Sequence, residues 1–317
     1  MTLRVIKNGI LDTIQDLGRY GWRNKGVNPN GVMDHTAALL VNLLLANDVN
    51  SPVIELHFPA GQFRFEAAAI FALGGANFSA ELDGTPIDNW RMHKAGAGQV
   101  LRFREKLSGM RSYLSIKGGF RCGQWLGSSS TNLIAAIGGV KGGPLAKDDL
   151  VPFNPTFPLS SSWRGARVST SLIPRYSNFP TIRFTFGAEF DELTPTDQHK
   201  LFDSPFTVSV DSNRMGYKLK GPALMRKTAN ELLSSAVTFG TIQLLHSGQL
   251  IVLMSDHQTT GGYPRIGNVI ALDLPLLAQL GPGDRLFFKQ VSIQHTESLT
   301  ANFQQELALF RTACHFL

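Results

Sequence analysis

Three stretches of the 317-residue sequence interleave carboxylate, guanidinium, amide and hydroxyl groups with glycine. The first is Thr13-Ile-Gln-Asp16-Leu-Gly-Arg19, followed by Gly31-Val-Met-Asp34. The second is Asp211-Ser-Asn213-Arg214-Met-Gly-Tyr217, and the third is Asp256-His-Gln258-Thr259-Thr260-Gly261-Gly-Tyr263-Pro-Arg265. Glycines let backbone N–H groups approach a ligand closely. An arginine fork pairs with a carboxylate or phosphate, and an aspartate serves as a base or holds Mg²⁺. A plainer reading fits the first two: Asp16 with Arg19, and Asp211 with Arg214, are spaced to pair and brace turns. The third resists that reading. Its polar run directly follows the apolar stretch Leu250–Met254, which is how a functional loop on a rigid strand looks.

Other chemistry leaves no trace. There is no GxxxxGK[ST], HExxH, GxSxG or CxxC, and the eight histidines show no metal-ligand spacing; only His257 sits beside an acidic residue in a turn-rich stretch. The clusters Gly118-Gly119 and Gly138–Gly143 read as phosphate cradles or, more simply, as turns at strand ends. The net charge of +6 has no like-charge block and no nucleic-acid motif beside it, so it suits a small anionic ligand better than a nucleic acid. Cys122 and Cys314 stand apart, which suggests a reducing compartment, the cytoplasm. No apolar run reaches the ~20 residues of a membrane span, and the start lacks a signal-peptide pattern.

The elements that must position these groups are mostly strands. With 31 glycines and 16 prolines between aromatic and β-branched runs, the chain reads as short strands joined by tight turns. Predicted strands are Val53–Phe58, Phe63–Phe65, Ile70–Leu73, Val100–Arg104, Tyr113–Ile116, Ile182–Phe186, Phe206–Val210, Leu250–Met254 and Arg285–Lys289. Helices should be few: one capped by Asp34, one starting at Thr194-Pro195, one behind the capping-box pattern Thr228–Glu231, and a terminal one with the stripe Phe303, Leu307, Phe310, Cys314 and Leu317. At ~150 residues per domain the length suggests two domains. The turn-rich stretch Pro152–Asn178 is the candidate linker, placing the domains at 1–160 and 161–317. Thr13-Ile14-Gln15 is repeated as Thr241-Ile242-Gln243, a faint echo between the halves.

T-I-Q-D-x-G-R at 13–19, G-x-x-D at 31–34, N-R-M-G-Y at 213–217 and Q-T-T-G-G-Y-P-R-I at 258–266 resemble the biotin-dependent carboxyltransferase family, also described as allophanate hydrolase subunit 2. The branch they resemble most is the C subunit of bacterial 5-oxoprolinase. Tyr113-Leu114, Gly118-Gly119, Gly127-Ser128, Ser130-Thr131 and Gly281–Asp284 add to the match, which covers about residues 3–293. The resemblance implies a mainly β (α+β) fold of two cyclophilin-like β-barrel domains with a few short helices, and an active site between the domains. It implies ATP-dependent opening of the lactam 5-oxoproline to glutamate, by a complex with two partners. One is an allophanate hydrolase subunit 1-like (kinase-inhibitor-like) protein, the other a lactam-utilisation subunit. ATP and Mg²⁺ would enter through that complex; no resident metal is implied.

Carried over motif by motif, the resemblance implies anion binding by Arg19, Arg214 and Arg265 and a base or Mg²⁺ ligand at Asp16 or Asp256. Asp34, Asn213, Gln258, Thr259, Thr260, Gly261 and Tyr263 would complete the binding pocket. Departures weigh against a urea-type carboxyl transfer: Ser129 replaces a usual arginine, Lys147-Asp148-Asp149 a usual Gly-Asp, and Phe120–Gly123 lacks a usual Val-Pro. There is no biotin-accepting Met-Lys-Met and no ATP-grasp pattern. The alternatives are a carboxyltransferase supplied by a separate biotin-carrying chain, and a regulatory protein antagonising a kinase inhibitor.

Overall fold

The computed structural model describes residues 1–155, 165–228 and 232–315. The fold is mostly β, with four α-helices among the described residues: α1 (His35–Leu44), α2 (Pro195–Asp203), α3 (Leu274–Ala278) and α4 (Ile293–His315). The chain forms two compact units. One comprises Met1–Arg19, Asn30–Pro174 and Phe303–Leu317; the other comprises Tyr20–Pro29 and Arg175–Asn302.

The first unit holds two antiparallel sheets. One runs Leu150–Pro152, Thr2–Lys7, Gln62–Phe65, Val100–Phe103, Ala80–Leu82, Thr85–Pro86; the other runs Thr13–Gln15, Val53–His57, Ser108–Ile116, Ala69–Asn77, Met92–Ala95. Thr2–Lys7 and Gln62–Phe65 bury alternate residues, as strands with one solvated face must. Leu3, Val5, Phe63 and Phe65 share a core with Ile14, Ile54, Phe71 and Leu114 from the second sheet. That second sheet is covered on its other face too. There α1 and Leu307 of α4 pack against Val53, Ile70, Ala72 and Tyr113, which is why Val53–His57 and most of Ala69–Asn77 are buried without alternation.

The second unit is a closed barrel of seven strands: Thr181–Phe186, Arg265–Val269, Thr241–Leu244, Leu250–Leu253, Gly216–Lys220, Phe206–Val208 and Arg285–Gln290. It closes through one parallel pair, with Ile182 opposite Phe288. A two-stranded ribbon, Ser235–Ala236 with Thr260–Gly261, stands outside the barrel order.

Every strand predicted from sequence is present, within a few residues at each end. Asp34 and Thr194 cap α1 and α2 as their spacing predicts, each accepting a backbone N–H with its side chain. Residues 229–231 of the third capping pattern, and Leu317, lie outside the described residues. The linker requires correction. Residues 156–164, which include the expected boundary at 160/161, lie outside the described residues, but the following stretch is not a tether. Val168 and Leu172 are buried in the core of the first unit, and Met92 and Val168 make backbone hydrogen bonds that lace this stretch to Trp90–Met92. The barrel expected in the first half is, among the described residues, a pair of sheets, and α4, at 23 residues, is not short.

Candidate active site

Asp16 follows directly on the strand Thr13–Gln15 and is buried. Its Oδ1 accepts from Ser128 Oγ at 2.7 Å, Ser130 Oγ at 2.6 Å and Gly18 N at 2.8 Å, while Oδ2 accepts from Ser129 N at 2.6 Å. Four donors on one carboxylate make it the organiser of the Ser128–Thr131 turn. The expected pairing with Arg19 is not formed. Arg19, almost fully buried, donates instead to Asn30 Oδ1 and to Ser130 O, and its guanidinium lies 5.0 Å from the centre of the Trp125 ring. Asp34 is also buried; its Oδ1 caps α1 through Ala37 N at 2.8 Å. Beside it Tyr113 OH accepts from Asp34 N and donates to Glu55, whose carboxylate also takes Met33 N. The Gly31–Asp34 stretch is thus held from below by two buried side chains, Glu55 and Tyr113.

In the barrel unit, Arg214 turns away from Asp211 and pairs with Asp256, 42 residues further on. Arg214 Nε donates to Asp256 Oδ2 at 2.9 Å and Nη2 to Oδ1 at 3.1 Å, with Ser255 Oγ at 3.0 Å from Nη2. Both side chains are over nine-tenths buried. Backbone bonds Asp256 N to Arg214 O and Met254 N to Met215 O fasten the two motifs together. Asn213 is exposed, and its Oδ1 closes a turn onto Met215 N.

Arg265 opens the strand Arg265–Val269 and forks onto Glu189. Nε reaches Oε2 at 2.9 Å, Nη2 reaches Oε1 at 2.7 Å, and the Arg265 backbone N–H adds a third bond to Oε2 at 2.8 Å. The guanidinium beside Glu189 holds that carboxyl below the usual range. The loop between these anchors shows its side chains to solvent. Gln258, Thr260 and Tyr263 are exposed and Thr259 half-buried. Its backbone is fixed by the ribbon with Ser235–Ala236 and by Gln243 Nε2 donating to Tyr263 O at 3.4 Å. A Cβ on Gly261 would stand 2.7 Å from that Gln243 amide, so glycine is required there for close approach.

The three motifs therefore divide by role. Asp16, Arg19, Asp34, Arg214, Asp256 and Arg265 are braced inside their own units, whereas Gln258–Tyr263 presents amide, hydroxyl, phenol and glycine backbone outward. Among the described residues no group of three or more His, Cys, Asp or Glu is arranged to hold a metal ion. Asp16 and Asp256 spend their oxygens on internal donors, so these carboxylates do not fit Mg²⁺. Sequence reasoning missed Glu189, Glu55, Arg23 and His257. Only His257 carried a local signal, its place within the third motif.

A family profile for the carboxyltransferase domain, subdomain A and B, matches residues 25–290. The chain belongs to this carboxyltransferase-domain family. Two relatives bear the name of the C subunit of 5-oxoprolinase. That of Escherichia coli K12 is 39% identical over 96% of this chain and 95% of its own length, and that of Haemophilus influenzae is 37% identical over 90% of each. A crystal structure of the Kluyveromyces lactis urea amidolyase superposes with a TM-score of 0.91 at 25% identity. It covers 98% of this chain, which corresponds to 20% of the amidolyase. The family's carboxyltransferase fold is thus shared by proteins named for opening a lactam and for degrading urea.

Proposed function

We propose that this chain is the C subunit of an ATP-dependent 5-oxoprolinase, and that with its partners it opens the cyclic amide 5-oxoproline to glutamate. The observation that carries this reading is end-to-end similarity to two proteins so named, with nearly the whole of each chain aligned. A five-membered lactam is an unreactive amide. Opening it takes activation of the carbonyl and donors preorganised for the developing oxyanion. The Gln258–Tyr263 loop supplies donors of that kind, and the buried Arg214–Asp256 pair and the Arg265–Glu189 fork keep it from moving when charge develops. ATP and its Mg²⁺ would be held by the partners, a kinase-inhibitor-like protein of the allophanate hydrolase subunit 1 type together with a lactam-utilisation subunit, in the cytoplasm.

Co-expression with the neighbouring subunits tests this. The assembled complex should release glutamate from 5-oxoproline only with ATP present and only with this chain included. Full ATP-dependent turnover without this chain would contradict it. A second reading, carboxyl transfer from a biotin carried on another chain, draws on the family's name and on the urea amidolyase superposition; avidin inhibition of the complex would favour it.

A further inference from the structure

The motif arginines are spent inside the protein, so an anion has to be met by some other cation. Tyr20–Pro29 offers one. This segment is flanked in sequence by residues of the first unit yet folds with the barrel unit. Asn28 Nδ2 donates to Asp256 O at 3.1 Å, and Arg23 Nη2 donates to Val237 O, whose residue in turn donates its N–H to Thr259 O at 3.2 Å. The segment is thereby sewn to the base of the Gln258–Arg265 loop. Arg23 has no other acceptor among the described residues, and its Nε is buried without one. Leaving guanidinium donors unmet at a partly buried site is costly unless something else fills them.

His257 lies within reach of the Arg23 charge. The ring is 2% exposed, and its Nδ1 contacts Gln258 O. A carbonyl can only accept, so Nδ1 carries the hydrogen and Nε2 keeps the lone pair. No donor in the described protein meets that Nε2. Burial and the Arg23 charge hold the imidazole below its usual pKa, partly opposed by Asp256, which is itself neutralised by Arg214.

We infer that Arg23 and His257 together form a binding site for a small oxyanion, a carboxylate or a phosphoryl group, at the base of the Gln258–Arg265 loop. Arg23 takes one oxygen through its unmet donors, and His257, once protonated at Nε2, takes another. This deepens the proposed function and rests on it for the choice of ligand, because both the lactam's carboxylate and a phosphoryl group are anions of that class. Coupling is reciprocal: an anion that cancels the Arg23 charge raises the affinity of His257 for a proton, and lowering the pH tightens anion binding.

The test uses the isolated full chain and binding alone, so it stands or falls separately from glutamate release. The His257 ring resonance, assigned by its loss in His257→Gln, is followed by NMR from pH 5 to 8 with no addition, with inorganic phosphate, and with 5-oxoproline. One anion should move the His257 midpoint upward by about half to one pH unit and bind about three- to tenfold more tightly at pH 5.5 than at pH 8. Arg23→Gln should weaken that binding about tenfold or more. Preference for phosphate assigns the site to a phosphoryl group; preference for 5-oxoproline assigns it to the substrate carboxylate. If neither anion moves the wild-type resonance, or if Arg23→Gln binds as tightly as wild type, the inference is wrong.

Discussion

Asp16 shows how much one carboxylate carries. It satisfies two hydroxyls and two backbone N–H groups at once. Asp16→Asn keeps one accepting oxygen and aims an NH₂ at groups that also donate. We expect a loss of about 2–4 kcal/mol in denaturant unfolding, because a buried donor left without an acceptor costs about 1–3 kcal/mol. A near-neutral result would mean the Ser128–Thr131 turn holds itself. A second pair of residues sets the pH response of the same unit. Burial pushes Asp12 up to about 6 and His35 down to about 4. An acid with a raised folded pKa binds more protons folded than unfolded, so its contribution falls as pH rises from about 4 to 6. A base with a lowered folded pKa does the reverse, and its contribution rises from about pH 4 to 6.5. The two slopes oppose each other. Thermal melts at pH 4.5 and 6.5 should show a flatter profile for wild type than for either single variant. His35→Gln should lose stability over that interval and Asp12→Asn gain it; parallel profiles would contradict both assignments.

At the scale of elements, the strand Arg265–Val269 ties loop to barrel, and Gly187 is where another strand's end passes it most closely. A Cβ there would stand 2.1 Å from the Arg265 carbonyl oxygen. Because backbone cannot yield as a side-chain tip does, Gly187→Ala should cost at least about 2 kcal/mol and reduce the activity of the complex together with stability. A variant as stable as wild type would mean the strand has slack. This scale also shows what could be read from sequence and what could not. Apolar runs such as Leu250–Leu253 and the caps Asp34 and Thr194 are local signals, and they were legible. Met92–Ala95, whose four residues include His93 and Lys94, carries no such signal and becomes a strand only through pairing with Ala69–Ala72. The site followed the same division. The motifs located the loop that faces solvent, but spacing suggested Asp211 for Arg214 when the partner is Asp256, and nothing near Arg265 pointed to Glu189, 76 residues earlier. Ion-pair partners in a barrel are set by strand order, which a linear reading does not supply.

Across the whole molecule, the repeated Thr-Ile-Gln is a buried strand in each unit. In both, the glutamine amide donates to a carbonyl of the nearby loop, Gln15 to Thr131 O and Gln243 to Tyr263 O. The echo in sequence therefore marks a shared way of fastening a polar loop. The units also differ from the expected division, and proteolysis can report it. Arg167 is exposed but lies in a bridge to Arg91, with Val168 next to it buried and its N–H bonded to Trp90 O; Arg175 begins the second unit. Brief trypsin digestion should cut after Arg175 before Arg167, and the opposite order would return 165–174 to the status of a tether.

The most direct test of the proposed site compares two matched ion pairs in the barrel unit. Arg265 forks onto Glu189, and Arg183 forks in the same way onto Asp273, with 2.7 and 2.5 Å shortest contacts. Both arginines are partly exposed, so each pair contributes about 0–1 kcal/mol by itself, somewhat more where the fork geometry is good. They differ in what they hold, since only Arg265 anchors the Gln258–Tyr263 loop. The measurement is ATP-dependent glutamate release from 5-oxoproline by complexes carrying Arg265→Ala or Arg183→Ala, beside the melting temperature of each chain. We expect Arg265→Ala to lose about 10²-fold or more in rate, Arg183→Ala to stay within a few-fold of wild type, and both to melt within a few degrees of wild type. Equal rates for the two variants would contradict the placement of the active site at this loop.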